Sequence, residues 1–232
     1  MNRTFGLSAA AVALSAGLAA PAYAALELQS AEDFSGSGLG AVNTVLTLQG
    51  KGNASFEAGS VGRAAGGTSD LLQGDVKTGT SQTQTRTIES LGVQSAADLR
   101  VVFNAVEPGN QGAGVTLTDL RLNIYSPTGS LLFTSGAFSP VALQDTATGA
   151  DSSGFVFALD AADATLAQAA AFGAGGQANL VGLSASVSDA SGGAETFYVA
   201  SNVTLVPEPA TYAMLLAGLG LLGLQKRRRR EA

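Results

Sequence analysis

The chain has 232 residues, no histidine, cysteine or tryptophan, and a formal net charge of −6. Without histidine the commonest general base, the Ser-His-Asp arrangement and the usual zinc ligand are excluded; without cysteine so are thiol nucleophiles, thiolate metal sites and disulfide staples. The whole-chain charge conceals an asymmetry, because residues 25–206 hold six Lys and Arg against sixteen Asp and Glu, a net of −10, so that span offers no basic patch to nucleic acid.

The first 24 residues hold Arg3, an apolar run from Phe5 to Ala20, and then Pro21-Ala22-Tyr23-Ala24. A basic start, an apolar centre and small side chains at Ala22 and Ala24 form the pattern of a secretory signal peptide cut after Ala24. A permanent anchor fits less well, since Pro21 would break its helix. Removal of this leader leaves residues 25–206 as one domain of 182 residues ahead of a C-terminal tail, long enough to bury its own core.

Residues 25–98 are rich in Gly, Ser, Thr and Ala. They suggest strands at Val42 to Leu48 and near Ser55-Phe56, a loop at Arg63 to Thr68, and an alternating polar stretch from Thr78 to Ile88, with Gly36, Gly38 and Gly40 marking a turning entry. From residue 99 onward the pattern sharpens. Leu99 to Val106 is nearly all apolar, Glu107 to Gly114 is a turn, and Val115 to Tyr125 puts Leu120, Leu122 and Ile124 on one face. Ser126-Pro127-Thr128-Gly129 is a tight turn and Leu131 to Thr134 returns, so these three strands are expected to form an antiparallel meander.

Gly154 to Leu159 reads as a further strand. Asp160 then caps a helix running through Phe172, with Asp163 in its first turn, Gly173 to Gly176 ending it, and Leu166, Ala169 and Ala170 expected against the sheet. Val181, Leu183, Ala185 and Val187 alternate, Ser191 to Gly193 turns, and Phe197, Val199, Val203 and Leu205 alternate on the return, the pattern of a hairpin. Many short strands, frequent glycine and one short helix predict a mainly β fold, an antiparallel β-sandwich or jelly roll.

For chemistry the acids remain. Paired carboxylates of the glycosidase kind could come from Asp145, Asp151, Glu107 and Asp119, although solvated strand-end acids are the ordinary reading of all four. Calcium needs only oxygen ligands, and Asp145 and Asp151 flank one loop, which makes them the candidate metal ligands; no D-x-D-x-D-G loop or glycine-rich repeat accompanies them. Neither Lys51 nor Lys77 follows a serine at S-x-x-K spacing, and no residue is assigned a catalytic role.

The tail, Val206 to Arg230, reads VPEPATYAMLLAGLGLLGLQKRRRR: the element Pro207-Glu208-Pro209, an apolar run from Ala210 to Leu224, then Lys226, Arg227, Arg228, Arg229 and Arg230. As a helix the apolar run reaches about 23 Å, short of the roughly 30 Å hydrocarbon core. Tyr212 at one interface and the long stems of Lys226 and Arg227 at the other make up the difference, so a single transmembrane helix is expected, with Lys226 to Arg230 as its cytoplasmic stop. Gly218, Gly220 and Gly223 spell G-x-G-x-x-G, but no strand precedes them and no acid follows at the required distance, so they are no nucleotide site.

These three parts, in this order, resemble the PEP-CTERM sorting tail of Gram-negative bacteria that make extracellular polysaccharide. The resemblance implies an inner-membrane intermediate, recognition at Pro207-Glu208-Pro209 by the membrane enzyme exosortase, and release or attachment at the cell surface. It leaves the domain ahead of the tail unassigned, although Leu99 to Gly136 is similar to extracellular β domains carried by other PEP-CTERM proteins. The expectation is therefore an exported, non-enzymatic protein with a structural or adhesive role in a polysaccharide matrix, processed by signal peptidase and exosortase. The alternatives are a calcium-dependent carbohydrate-binding module or a carboxylate-based carbohydrate-active enzyme. More remotely, since such tails also occur on ice-binding proteins, Thr83, Thr85 and Thr87 could form an ordered threonine row on one strand face.

Overall fold

The computed structural model describes residues 25–33, 43–51, 54–79, 81–105, 114–144, 153–190 and 193–201. In chain order the strands are β1 (Leu26–Asp33), β2 (Asn43–Leu48), β3 (Phe56–Arg63), β4 (Asp70–Gly74), β5 (Arg86–Thr87), β6 (Leu99–Ala105), β7 (Gly114–Tyr125), β8 (Leu131–Thr134), β9 (Val141–Gln144), β10 (Ser153–Leu159), β11 (Leu180–Ser188) and β12 (Glu195–Ser201). The helix α1 spans Ala161–Ala171.

Among the described residues every strand pairing is antiparallel. The first sheet has the order β1-β10-β6-β12-β2; the second runs β4-β3-β11-β7-β8, with β5 also on β11 and β9 also on β7. Alternation sets the inner faces: Val181, Leu183 and Val187 of β11 and Leu120, Leu122 and Ile124 of β7 point inward from the second sheet, Val101 and Phe103 of β6 and Phe197 and Val199 of β12 from the first. These residues belong to one apolar cluster, in which Phe103 stacks on Phe197 with ring centres 4.6 Å apart. Each such side chain contributes about 1.5–3 kcal/mol on burial, so a single core holds both sheets, an arrangement consistent with a β-sandwich.

Two expected pairings are corrected. The β7–β8 hairpin forms, closed by Gly129 N–H donating to Ser126 O at 2.9 Å, but β6 lies in the other sheet and does not continue it as a meander. Likewise β11 and β12 are not a hairpin: β11 sits between β3 and β7, and β12 between β6 and β2. The physical reason is the same for both. An alternating pattern tells which side of a strand is buried, and two inward-facing strands can bury those sides against each other across the core as readily as side by side.

Helix α1 starts as expected. Asp160 Oδ1 accepts the N–H groups of Ala162 and Asp163 at 2.8 Å each, which satisfies two of the helix's first amides. Its buried stripe, however, is Asp163, Ala167 and Ala171, while Leu166 is 60% exposed and Ala169 and Ala170 are exposed as well. Small alanines let the helix lie close to the short 3₁₀ turn Ala96–Asp98, where Gln168 Oε1 accepts the Ala96 N–H at 2.9 Å. That contact, and the Asp163 carboxylate accepting Gly136 N–H at 2.9 Å, fix its rotation against the sheets.

Candidate functional site

The outer face of the second sheet is built from the residues between the buried ones. On β11 these are Ser184, Ser186 and Ser188, so the central strand presents small hydroxyls where most outer faces carry long side chains. The registers align them with their neighbours in rows. Gln73, Ser60, Ser184 and Arg121 run across β4, β3, β11 and β7; Ala58, Ser186 and Asp119 form the next row; Phe56, Ser188 and Thr116 the one after. With strands about 4.8 Å apart, the first row spans roughly 14 Å.

The low floor and taller margins leave a shallow concavity of about 390 Å³, lined among others by Phe56, Ser60, Gln73, Asp119, Ser184 and Ser186. Phe56 is 55% exposed, an apolar ring at the rim of a polar floor. The floor is partly tied: Thr118 and Ser186 hydroxyl oxygens lie 2.7 Å apart, and Thr118 Oγ1 donates to Ser186 O at 3.0 Å. Arg121 Nε meets Asp119 Oδ2 at 3.4 Å, an exposed pair worth at most about 1 kcal/mol and therefore easily opened.

The face is bounded on its other side by Tyr125, whose ring lies across the glycines of two neighbouring strands. A Cβ on Gly62 would come within 2.5 Å of the Tyr125 hydroxyl oxygen, and one on Gly182 within 3.2 Å of its ring. Burial there pushes the tyrosine's pKa above its ordinary value of 10.0. The face thus offers an aromatic ring at each end, hydroxyls between them, and amide, carboxylate and guanidinium groups at its margins. Such a set can stack on the C–H face of a polar ligand and exchange several hydrogen bonds with its hydroxyls.

Few of the sequence-derived candidates fall on this face. Asp119 does, as the exposed partner of Arg121. Asp145, Asp151 and Glu107 lie outside the described residues, as do Ala22, Ala24, Pro207, Glu208, Pro209, Lys226, Arg227, Arg228, Arg229, Arg230 and the apolar run 210–224. Among the described residues no three acidic side chains stand together to hold a metal ion, and no helix is long and apolar enough to cross a membrane.

The threonine row is corrected. Thr83 and Thr85 are only 6% and 8% exposed and act as internal staples: Thr83 Oγ1 accepts Thr47 N–H at 3.1 Å and donates to Lys77 O at 2.8 Å. Thr85 Oγ1 donates to Asp70 Oδ1 at 2.6 Å, the oxygen that also meets Arg63 at 3.1 Å. β5 keeps only Arg86–Thr87, because the preceding residues hydrogen-bond to several different segments, and no exposed threonine array results. The residues the sequence reading passed over are Ser60, Gln73, Ser184 and Ser186; only the last two carry a signal, the run Ser184-Ala185-Ser186-Val187-Ser188, whose polar members are all small.

No curated protein and no solved structure matches the chain. Residues 205–230 match the family model described as the PEP-CTERM protein-sorting motif. The chain therefore carries a PEP-CTERM sorting motif over residues 205–230, consistent with an exosortase substrate exported to the cell envelope or surface, while the β-rich part ahead of it has no assigned family.

Proposed function

We propose that the chain is an exported adhesion protein that holds extracellular polysaccharide on the outer face of its second sheet, without chemistry on the glycan. In this reading signal peptidase cuts after Ala24, the run Ala210 to Leu224 spans the inner membrane of a Gram-negative cell, and Lys226 to Arg230 stay in the cytoplasm. Exosortase then acts near Pro207-Glu208-Pro209, and residues 25–206 are left at the surface or in the matrix.

The observation that supports the adhesive role is the four-strand row Gln73–Ser60–Ser184–Arg121 beside exposed Phe56. A sugar ring needs an apolar plane and paired polar groups, and this face supplies both on rigid strands. The net charge of −10 over residues 25–206 disfavours polyanionic glycans and directs the reading to neutral ones.

Affinity electrophoresis tests this: mobility is compared in gels with and without soluble neutral polysaccharides such as dextran, galactomannan and xyloglucan. At least one polymer is expected to retard the wild-type protein, and a Phe56→Ala/Gln73→Ala double variant is expected to migrate freely. Equal retardation of the variant, or none of the wild type, contradicts the adhesive face. Release of reducing ends during incubation would instead identify a carbohydrate-active enzyme.

A further inference from the structure

At the start of β1, Ala25 and Asp160 hold each other reciprocally. Ala25 N–H donates to Asp160 Oδ2 at 3.1 Å, and Asp160 N–H donates to Ala25 O at 3.2 Å. The other oxygen of the same carboxylate, Oδ1, caps α1 through Ala162 and Asp163. One side chain therefore joins the first residue of the described chain, the end of β10 and the first turn of the helix. Among the described residues β1 lies at the edge of its sheet and pairs only with β10, so this clasp sits where the strand would otherwise fray.

Among the described residues, acids outnumber cations here. Asp160 and Glu27 line one cleft of about 350 Å³, and Asp163 lies in the first turn of the helix that Asp160 caps. On the neighbouring elements, Asp98 accepts the Ser95 hydroxyl at 2.7 Å, and the Arg100 guanidinium donates to the carbonyls of Ala97 and Leu99. Helix α1 itself carries no Lys or Arg. A cation at Ala25 would complete the set.

We infer that removal of the leader creates that cation: the mature α-ammonium of Ala25 forms an ion pair with Asp160 and locks β1 onto the start of α1. Water adds across the Ala24–Ala25 peptide bond, leaving a carboxylate on Ala24 and an ammonium on Ala25. The amide N–H at 3.1 Å becomes one of three N–H donors on a charged nitrogen, and a charge-assisted bond of this kind is shorter and roughly twice as strong as a neutral one. The precursor thus has the weaker clasp, and maturation tightens the domain after it has crossed the membrane. This inference rests on the cleavage position in the export reading, so its test uses a defined N-terminus.

The chain from residue 25 to residue 232, solubilised in mild detergent, is produced from a fusion whose cleavage leaves a free Ala25, and compared with the same chain N-acetylated at Ala25. Acetylation keeps the N–H and removes the charge. At pH 6 and low salt the free form is expected to melt about 2–4 °C higher, as a gain near 1 kcal/mol gives for a chain of this size. The ion pair raises the α-amino pKa above its ordinary 7.7–8.0; its contribution is complete below that range and disappears as pH rises through the raised value. Asp160→Asn keeps a helix cap and should abolish the difference between the two N-termini. Equal melting at pH 6, or a difference that persists in Asp160→Asn, overturns the inference. If that variant does not fold, an α-amino group titrating at or below its ordinary value in the wild type overturns it equally. Because the N-terminus is set in vitro, these outcomes do not depend on where signal peptidase cuts.

Discussion

Asp163 and Gly136 join the helix to the second sheet: the carboxylate, only 3% exposed, accepts the Gly136 N–H at 2.9 Å. Desolvation raises its pKa above 3.8, the Gly136 hydrogen bond opposes this, and the charge of Asp160 adds to the rise. A carboxyl whose folded pKa is raised holds a proton that the unfolded chain has already lost. The stability cost is therefore absent below the ordinary aspartate value and grows as pH rises through the raised one. Asp163→Asn retains an acceptor for Gly136 and should melt above the wild type at pH 7, with the gap closing as pH falls below about 4. Paired melting curves from pH 3 to 8 check this, and a gap that widens toward acid contradicts it.

Core packing should show a large cost at Phe197. It is fully buried and stacked on Phe103 at 4.6 Å, so Phe197→Ala is expected to destabilise by about 3–5 kcal/mol in urea unfolding. Leu166→Ala, on the exposed side of α1, should stay within about 0.5 kcal/mol.

The contrast between these two positions shows how far the sequence could be read. Strands β2, β6, β7, β8, β10, β11 and β12 and the Asp160 cap were legible because each is governed by local period or local hydrogen bonding. Strand partners were not, since Val181 to Val187 and Phe197 to Val199 alternate alike whether paired or facing across a core. β1, β4 and β9 escaped notice because each carries at most three apolar residues, too few to establish a period. Leu166 misled because in an alanine-rich helix rotation is set by tertiary contacts, here those of Gln168 and Asp163. The candidate face was legible only as an absence of bulk at Ser184, Ser186 and Ser188; its rows needed the registers with β3, β4 and β7.

Buried threonine hydroxyls should matter more than the exposed row expected from their spacing. Thr85→Val removes the 2.6 Å bond to Asp70 and leaves a partly buried carboxylate short of a donor, for a loss of about 1–3 kcal/mol. Thr87→Val loses only a hydroxyl that accepts the exposed Ser90 N–H, and should cost about 0.5 kcal/mol or less. Chemical denaturation of the two variants separates these outcomes.

The seat of Tyr125 depends on missing side chains. Gly62→Ala would place a methyl 2.5 Å from the Tyr125 hydroxyl oxygen, with that side chain as its nearest neighbour, for an expected loss of about 1–3 kcal/mol and a changed tyrosine fluorescence. An unchanged spectrum and stability would show that the ring does not rest on this glycine.

Intact-mass spectrometry of the exported protein, from cells with and without exosortase, tests the sorting assignment most directly. With the enzyme the mature chain should begin at Ala25 and lack the basic residues Arg227 to Arg230; without it the tail should persist. A chain that retains those arginines in exosortase-containing cells would contradict the account.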